Sequence, residues 1–295
     1  MWYLLNGKPV QHDQPVISLN DRGLMYGDGC FDTIPVHKGT VFRLEKHLER
    51  LNNAMVYLGM PEVCITDINK ARTHIAYILD KNGLLDKQAW ARFQVWRTGT
   101  RGYQTDASQT AHWSLQCNTY SMEAMKKPIS LATVSTRRVP ASALNPLVKL
   151  TNGINYIRAA QQAKDKGADD ALMLSIEENI SETTKANLFW LKGDVFYTPS
   201  TECDLLPGIT RQFVTECIKG SMGANLKAGT FKLNELYDAD FVFVCNSLRK
   251  LVRVQSVDHV KFDKKNNVFN TLKRTFDNRL QSELKTLKES DQTKR

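Results

Sequence analysis

The chain has 295 residues, 42% of them hydrophobic, and 40 basic against 31 acidic side chains give a formal charge of +9. That length suits one large domain or two of ordinary size, and the apolar content is ample for a buried core. No apolar run is long enough to predict a membrane span, and the start Met1-Trp2-Tyr3-Leu4-Leu5 has neither a basic leader nor a small-residue cleavage site, so a signal peptide is not expected.

Lysine and arginine are spread along the chain and do not form a basic stripe with interleaved aromatics, so a nucleic-acid partner is not expected. The six cysteines (30, 64, 117, 203, 217 and 245) include no C-x-x-C pair. Zinc spacing and a disulfide scaffold are therefore poorly supported, no metal is expected, and reduced thiols in a cytoplasmic protein are the simplest reading.

In chain order, Trp2–Leu5 reads as a strand followed by the hairpin signal Asn6-Gly7. A strand near 29–36 leads through the Lys38-Gly39 turn into Val41-Phe42. From Arg43 the pattern turns helical: Leu44, Leu48, Leu51, Met55 and Leu58 recur at spacings of three and four. A second helix is expected over 65–79, and strands over 90–96 and 112–117. The polar, Gly-bearing stretch between those strands, 98–108, predicts an exposed loop of the kind that carries function.

Residues 121–128 are the expected linker, dividing a smaller N-terminal domain (1–120) from a larger C-terminal one (129–295). The second half predicts a strand at 129–134, an irregular arm through Pro140 and Pro146, and a helix over 152–166. Strands follow at 170–174, 187–190 and 195–197, then a helix over 208–218 opened by Pro207-Gly208, and a buried strand at 241–245. Leu272, Phe276, Leu280, Leu284 and Leu287 keep helical spacing, which predicts a docked amphipathic helix with 289–295 frayed.

Three features carry chemistry. Lys149 follows the apolar Leu147-Val148 and precedes a helix, a place where desolvation would depress an amine. Alone, such a lysine is ordinarily a snorkelling surface residue; its downstream partners change that reading. Glu182 offers a carboxylate at the entry to a β-rich stretch, otherwise an ordinary turn residue. Gly208-Ile209-Thr210 offers backbone N–H groups at a helix start, where phosphate binds well, with the Thr210 hydroxyl nearby. Arg43 could add a guanidinium fork. An amine, an acid and a phosphate-binding turn are the parts needed to hold pyridoxal 5′-phosphate.

These residues fall in a longer pattern: Glu182-x-Thr-x-x-Asn187-Leu-Phe189, then Phe196-Tyr-Thr198, then Leu206-x-Gly208-Ile-x-Arg211. Further segments are Asp21-Arg-Gly-Leu-Met-Tyr26-Gly-Asp-Gly29-Cys-Phe31, Phe42-Arg43-x3-His47-Leu-x-Arg50-Leu51, Gly167-Ala-Asp169-Asp-Ala171 and Cys245-Asn-Ser247-Leu248. Over roughly residues 3–260 the chain resembles the class IV (fold-type IV) pyridoxal-phosphate aminotransferases. That group includes branched-chain aminotransferases, D-amino acid transaminases and aminodeoxychorismate lyases.

The resemblance implies an α/β fold of the α+β type, in two domains with the cofactor at their interface. It also implies a homodimer at least. It makes Lys149 the Schiff-base lysine and Glu182 the partner of the pyridine nitrogen, with Arg43, the Ile209 and Thr210 amides and Ser247 on the phosphate.

Two departures stand out. Four residues after the lysine the family often carries Tyr or Arg near the ring hydroxyl; here stands Gly153, with Tyr156 one helical turn later as the candidate substitute. The run Phe31-Asp32-Thr33-Ile34-Pro35 also lacks the arginine that usually follows in branched-chain enzymes. Carboxylate recognition then falls to Arg92 or to Arg101-Gly102-Tyr103, with Tyr26, Phe31 and Thr33 completing the candidate substrate residues. Arg137 and Arg138 could face an acidic substrate. The expected activity is transamination between an amino acid and a 2-oxo acid. The alternative is a 4-amino-4-deoxychorismate lyase making 4-aminobenzoate and pyruvate for folate biosynthesis, with Thr33 aiding proton transfer.

Overall fold

The computed structural model describes every residue except 15–16, 61–62, 100, 106–108, 122–126, 263–265 and 294–295. The chain divides into two compact units. The first is Met1–Ser121 with Val148–Asn152 and Leu284–Arg295; the second is Met122–Leu147 with Gly153–Glu283. Most of the expected linker at 121–128, and part of the expected loop at 98–108, lie outside the described residues.

In the first unit, β1 (Trp2–Leu5), β2 (Lys8–Gln11), β3 (Gly29–His37), β4 (Thr40–Val41), β5 (Gln88–Arg97) and β6 (Ala111–Thr119) form one antiparallel sheet of order β2-β1-β6-β5-β3-β4. The turns at Asn6-Gly7 and Lys38-Gly39 have positive φ throughout, 51° and 81° then 47° and 77°. This is the geometry that makes Asn-Gly so strong a hairpin signal. A short helix α1 (Arg22–Tyr26) precedes β3. Alternation along β3 buries Cys30, Asp32 and Ile34 on one face and leaves Phe31 and Thr33 half-exposed on the other. The buried face packs under α2 (Leu44–Tyr57) and α3 (Ile68–Lys81), whose Leu44, Leu48, Leu51, Ile75 and Ile78 share its core.

The second expected helix starts later than its apolar residues suggest. Cys64–Thr66 is a separate 3-10 turn, and the Asp67 side chain accepts the Asn69 and Lys70 N–H groups at 2.9 Å, capping α3.

The second unit is built on β7 (Ile129–Thr133), β8 (Asp170–Leu174), β9 (Ile180–Thr183), β10 (Asn187–Lys192), β11 (Val195–Pro199), β12 (Asn225–Gly229), β13 (Phe241–Asn246), β14 (Lys250–Val257) and β15 (Val260–Lys261). Their order is β12-β11-β10-β13-β14-β7-β8-β9, with β15 on β14, and β9 pairs back onto β10 at Glu182–Asn187. Six strands therefore close into a ring. Helices α4 (Ile154–Asp165), α5 (Ile209–Glu216) and α6 (Leu233–Tyr237) accompany it. The α4 helix lays Ala159 and Ala163 against Ala171 and Met173 of β8. The final helix α7 (Asn267–Thr293) packs Phe276 against Phe213 and Phe269 against Phe241. It runs on through Thr293, past the expected fraying point at 289.

The segment Val148–Asn152, expected within the C-terminal domain, belongs to the first unit. Phe31 N–H donates to Lys149 O (3.1 Å), Thr151 N–H to Gly29 O (2.9 Å), and Cys30 and Leu150 form a β-bridge. These bonds run the segment alongside the first residues of β3, which no local sequence pattern announces. Leu284–Arg295 likewise groups with the first unit. No helix among the described residues is long and apolar enough to cross a membrane.

Candidate active site

In the first unit, Lys149 sits on that bridging segment with its Nζ 4.5 Å from the centre of the Phe31 ring. Arg92, on β5 and paired with Thr33, brings its guanidinium 3.8 Å from the centre of the same ring and donates to Gln94 (3.3 Å). Burial lowers the Arg92 pKa. Lys149, Phe31, Arg92 and Thr33 are thus one group, with two cations against one aromatic ring. Thr151 Oγ1 donates to Gly27 O at 2.7 Å, and the segment after the lysine is tied to the start of β3 as well.

Behind β3 lies a group to which spacing gives no role. Asp32 accepts Arg50 Nε and Nη2 on its two oxygens, both at 2.8 Å, and lies 2.9 Å from His47 Nδ1. All three are largely buried, and among the described residues His47 Nε2 has no hydrogen-bond partner. Burial opposes the charge on Asp32, but the Arg50 guanidinium and His47 overcome it and hold the carboxyl well below the usual range. Burial pushes the His47 pKa down. This network pins α2 to β3, and α2 begins directly after Arg43, whose left-handed φ of 51° forms its N-cap.

Of the candidate substrate residues, Tyr26 and Tyr103 form a second cluster around Gly102, next in the chain to Arg101. Gly102 N–H donates to Tyr26 Oη (3.0 Å), and the Tyr26 and Tyr103 rings lie 5.4 Å apart. Arg22 donates to Gly102 O, and Arg22 Nε and Arg97 Nε both donate to Asp28 Oδ2, at 2.8 and 3.0 Å. Arg101 and Tyr103 are exposed.

In the second unit, Glu182 is buried on β9 and contacted from several elements. Tyr156 Oη donates to Oε1 at 2.9 Å, Arg138 Nε lies 3.3 Å from the same oxygen, and Asn187 Nδ2 donates to Oε2 at 3.2 Å. Burial and the Glu182 charge push the Tyr156 phenol well above its ordinary pKa. Asn187 Nδ2 also donates to Leu206 O (2.9 Å), which ties Glu182 to the turn that opens α5. Gly208 is the N-cap of that helix, so the first-turn N–H groups, those of Ile209 and Thr210 among them, have no intrahelical acceptor. Ser247 stands in the turn after β13, held by Asn246 Oδ1 accepting the Leu248 and Arg249 N–H groups. Register pairs Cys245 with Asn187, so this turn follows directly from the neighbour of the Asn187 strand end.

Arg137 and Arg138 differ from expectation. Arg138 is buried against Glu182, and Arg137 makes a two-pronged pair with Glu178 at 2.8 and 2.7 Å. Adjacent arginines on an extended arm point to opposite sides, and composition could not tell which side held a carboxylate.

In the second unit the buried Glu182 carboxylate suits a ring cation and the helix N-terminus with Thr210 suits a phosphate, as pyridoxal 5′-phosphate requires; in the first unit Lys149 offers an amine on an aromatic ring. Among the described residues no cluster of His, Cys, Asp and Glu could hold a metal.

Residues 29–257 match the model of the amino-transferase class IV family. A putative branched-chain-amino-acid aminotransferase of Methanocaldococcus jannaschii is 32% identical over 259 residues, covering 86% of this chain and 87% of its own. An aminodeoxychorismate lyase of Vibrio harveyi is 28% identical, covering 86% of this chain and 91% of its own. Among solved structures, the PLP form of the branched-chain amino acid aminotransferase from Thermobaculum terrenum superposes with a TM-score of 0.86 at 19% identity, covering 96% of this chain and 94% of that one. At that identity the likeness is one of fold.

Proposed function

Because the chain belongs to the class IV aminotransferase family and is an enzyme of it, we propose that it moves an amino group between an amino acid and a 2-oxo acid with pyridoxal 5′-phosphate, bonded through Lys149. The observation that carries this reading is Asn187, which binds both Glu182 and the Leu206 carbonyl. The carboxylate for the ring nitrogen and the turn for the phosphate are thereby parts of one hydrogen-bonded unit.

When bound, the cofactor supplies a protonated pyridine ring that draws electrons from the substrate Cα. The protein's residues do the rest. Glu182 holds the ring-nitrogen proton. Arg43, the Ile209 and Thr210 N–H groups and Ser247 bind the phosphate. Once the substrate amine has displaced it, Lys149 Nζ takes the substrate Cα proton as general base and gives it back on the cofactor side, a role worth about 10²–10⁴-fold. Phe31, Thr33 and Arg92 line the approach to that amine, and Tyr26, Arg101 and Tyr103 bind the substrate carboxylate. Tyr156 serves the cofactor through Glu182, to which its phenol donates. The same reading makes the enzyme a homodimer and places it in the cytoplasm, the second in keeping with the buried, unbridged cysteines among the described residues.

One observation favours a second reading, 4-amino-4-deoxychorismate lyase supplying 4-aminobenzoate for folate. Thr33 shares the half-exposed face of β3 with Phe31, and its hydroxyl supports this reading as the group that would aid proton transfer. Two assays on the PLP-loaded enzyme decide: conversion of the bound cofactor by a panel of L- and D-amino acids, and release of 4-aminobenzoate from aminodeoxychorismate. Rapid conversion by an amino acid, lost in Lys149→Ala, supports the transaminase. Aminobenzoate release with sluggish conversion replaces it with the lyase, and a wild type that takes up no PLP refutes both.

A further inference from the structure

Glu182 is buried, yet a carboxylate that balances a ring cation must be ionised in the pair. A buried carboxyl without a partner charge takes up a proton instead. We propose that Arg138 is a positioning residue that keeps Glu182 ionised and fixed, and that Tyr156 is committed to the same task. The inference rests on the reading of Glu182 as the ring-nitrogen partner.

Arg138 is itself locked from three sides. Its backbone N–H donates to Leu174 O (2.8 Å), Nε to Asp204 O (3.0 Å) and Nη1 to Asn155 Oδ1 (2.9 Å). Asn155 in turn donates to Arg137 O at 2.8 Å, and the guanidinium lies 4.4 Å from the centre of the Tyr156 ring. A charge held this rigidly acts as a fixed point for Glu182 Oε1, 3.3 Å away. Tyr156 Oη occupies the same oxygen, while the neutral Asn187 amide takes the other.

Arg211, on α5, also acts on Glu182 electrostatically but donates through Nη2 to Pro199 O, at 2.8 Å. Arg138 is a cation in direct contact with the carboxylate, while this hydrogen bond of Arg211 goes to a backbone carbonyl.

The test follows the Glu182 carboxyl itself in the full-length protein, with and without PLP. Carbon-13 glutamate labelling reads its ionisation, with the resonance assigned by Glu182→Gln. In the wild type Glu182 stays ionised from about pH 5 to pH 9. In Arg138→Met a titration step appears with its midpoint at least one unit above about 4.3, and PLP dissociates at least about tenfold faster. Tyr156→Phe moves the step in the same direction by less. Arg138→Lys keeps the charge but loses the fork, so it restores ionisation while PLP release stays fast.

A folded Arg138→Met whose Glu182 remains ionised throughout overturns the inference. If that variant does not fold, Arg138→Lys with wild-type PLP release overturns the positioning role. A wild type that binds no PLP refutes the proposed function instead, and the cofactor-free titration still decides the role of Arg138.

Discussion

The side-chain amide of Asn187 occupies the space that a side chain at Gly208 would need, since a Cβ built there lies 2.2 Å from Asn187 Oδ1. Gly208 has an ordinary φ of −66°, so its requirement is one of close approach and not of backbone conformation. The contact joins the N-cap of α5 to the residue that also holds Glu182.

Gly208→Ala therefore tests that junction. The amide must shift, loosening its bonds to Glu182 and Leu206. The expected cost is about 1–3 kcal/mol of stability, with PLP affinity reduced about tenfold, measured by thermal melting and by cofactor titration. Wild-type PLP affinity would mean that the junction does not matter to the cofactor.

Asp32→Asn should destabilise the first unit by about 3–5 kcal/mol, because it leaves the Arg50 guanidinium buried without its counter-charge. The pH dependence has a definite sign. The folded pKa of Asp32 is depressed, so between that value and the ordinary one, near about 3.9, the unfolded chain binds more protons. Its contribution is complete above the ordinary value and is lost as pH falls through the folded one. Denaturant melts from neutral to acid pH should show a shallower acid limb in Asp32→Asn than in the wild type.

Asp28→Asn weakens the shared acceptor of Arg22 and Arg97, and with it the support for Gly102 between Arg101 and Tyr103. Loss of loop placement should raise KM about tenfold or more, with a smaller effect on kcat, since misplacement of binding groups near the substrate is costly. Steady-state kinetics checks it; a fall in kcat at constant KM would place the role of Asp28 elsewhere.

Cys30, Cys117 and Cys245 are buried, and burial raises each thiol to about 12. At about pH 8 they should stay unlabelled by a thiol reagent in the native protein and react fully on denaturation. Peptide mass spectrometry reads each position separately.

Much of the secondary structure was legible because it is local. The spacing of Leu44, Leu48, Leu51 and Met55 predicts α2, and all four are buried in it. Asn6-Gly7 and Lys38-Gly39 mark turns because the backbone conformation is a property of those residues. Strands β9, β12, β14 and β15 carried no comparable signal. Their pairing, as of Glu182 with Asn187 across a closed ring, is a choice among partners and not a local preference.

The sequence by itself determined the chemistry on offer: an amine at 149, a carboxylate at 182, and a glycine-led helix start at 208, in the order and spacing of one enzyme family. Only the tertiary structure decided what each group touches. It set Lys149 against Phe31, set Arg138 against Glu182, and turned the phenol of Tyr156 onto that same carboxylate. The physical reason is range: a residue type sets which bonds a side chain can make, while its partner is set by the strands and helices that burial brings beside it.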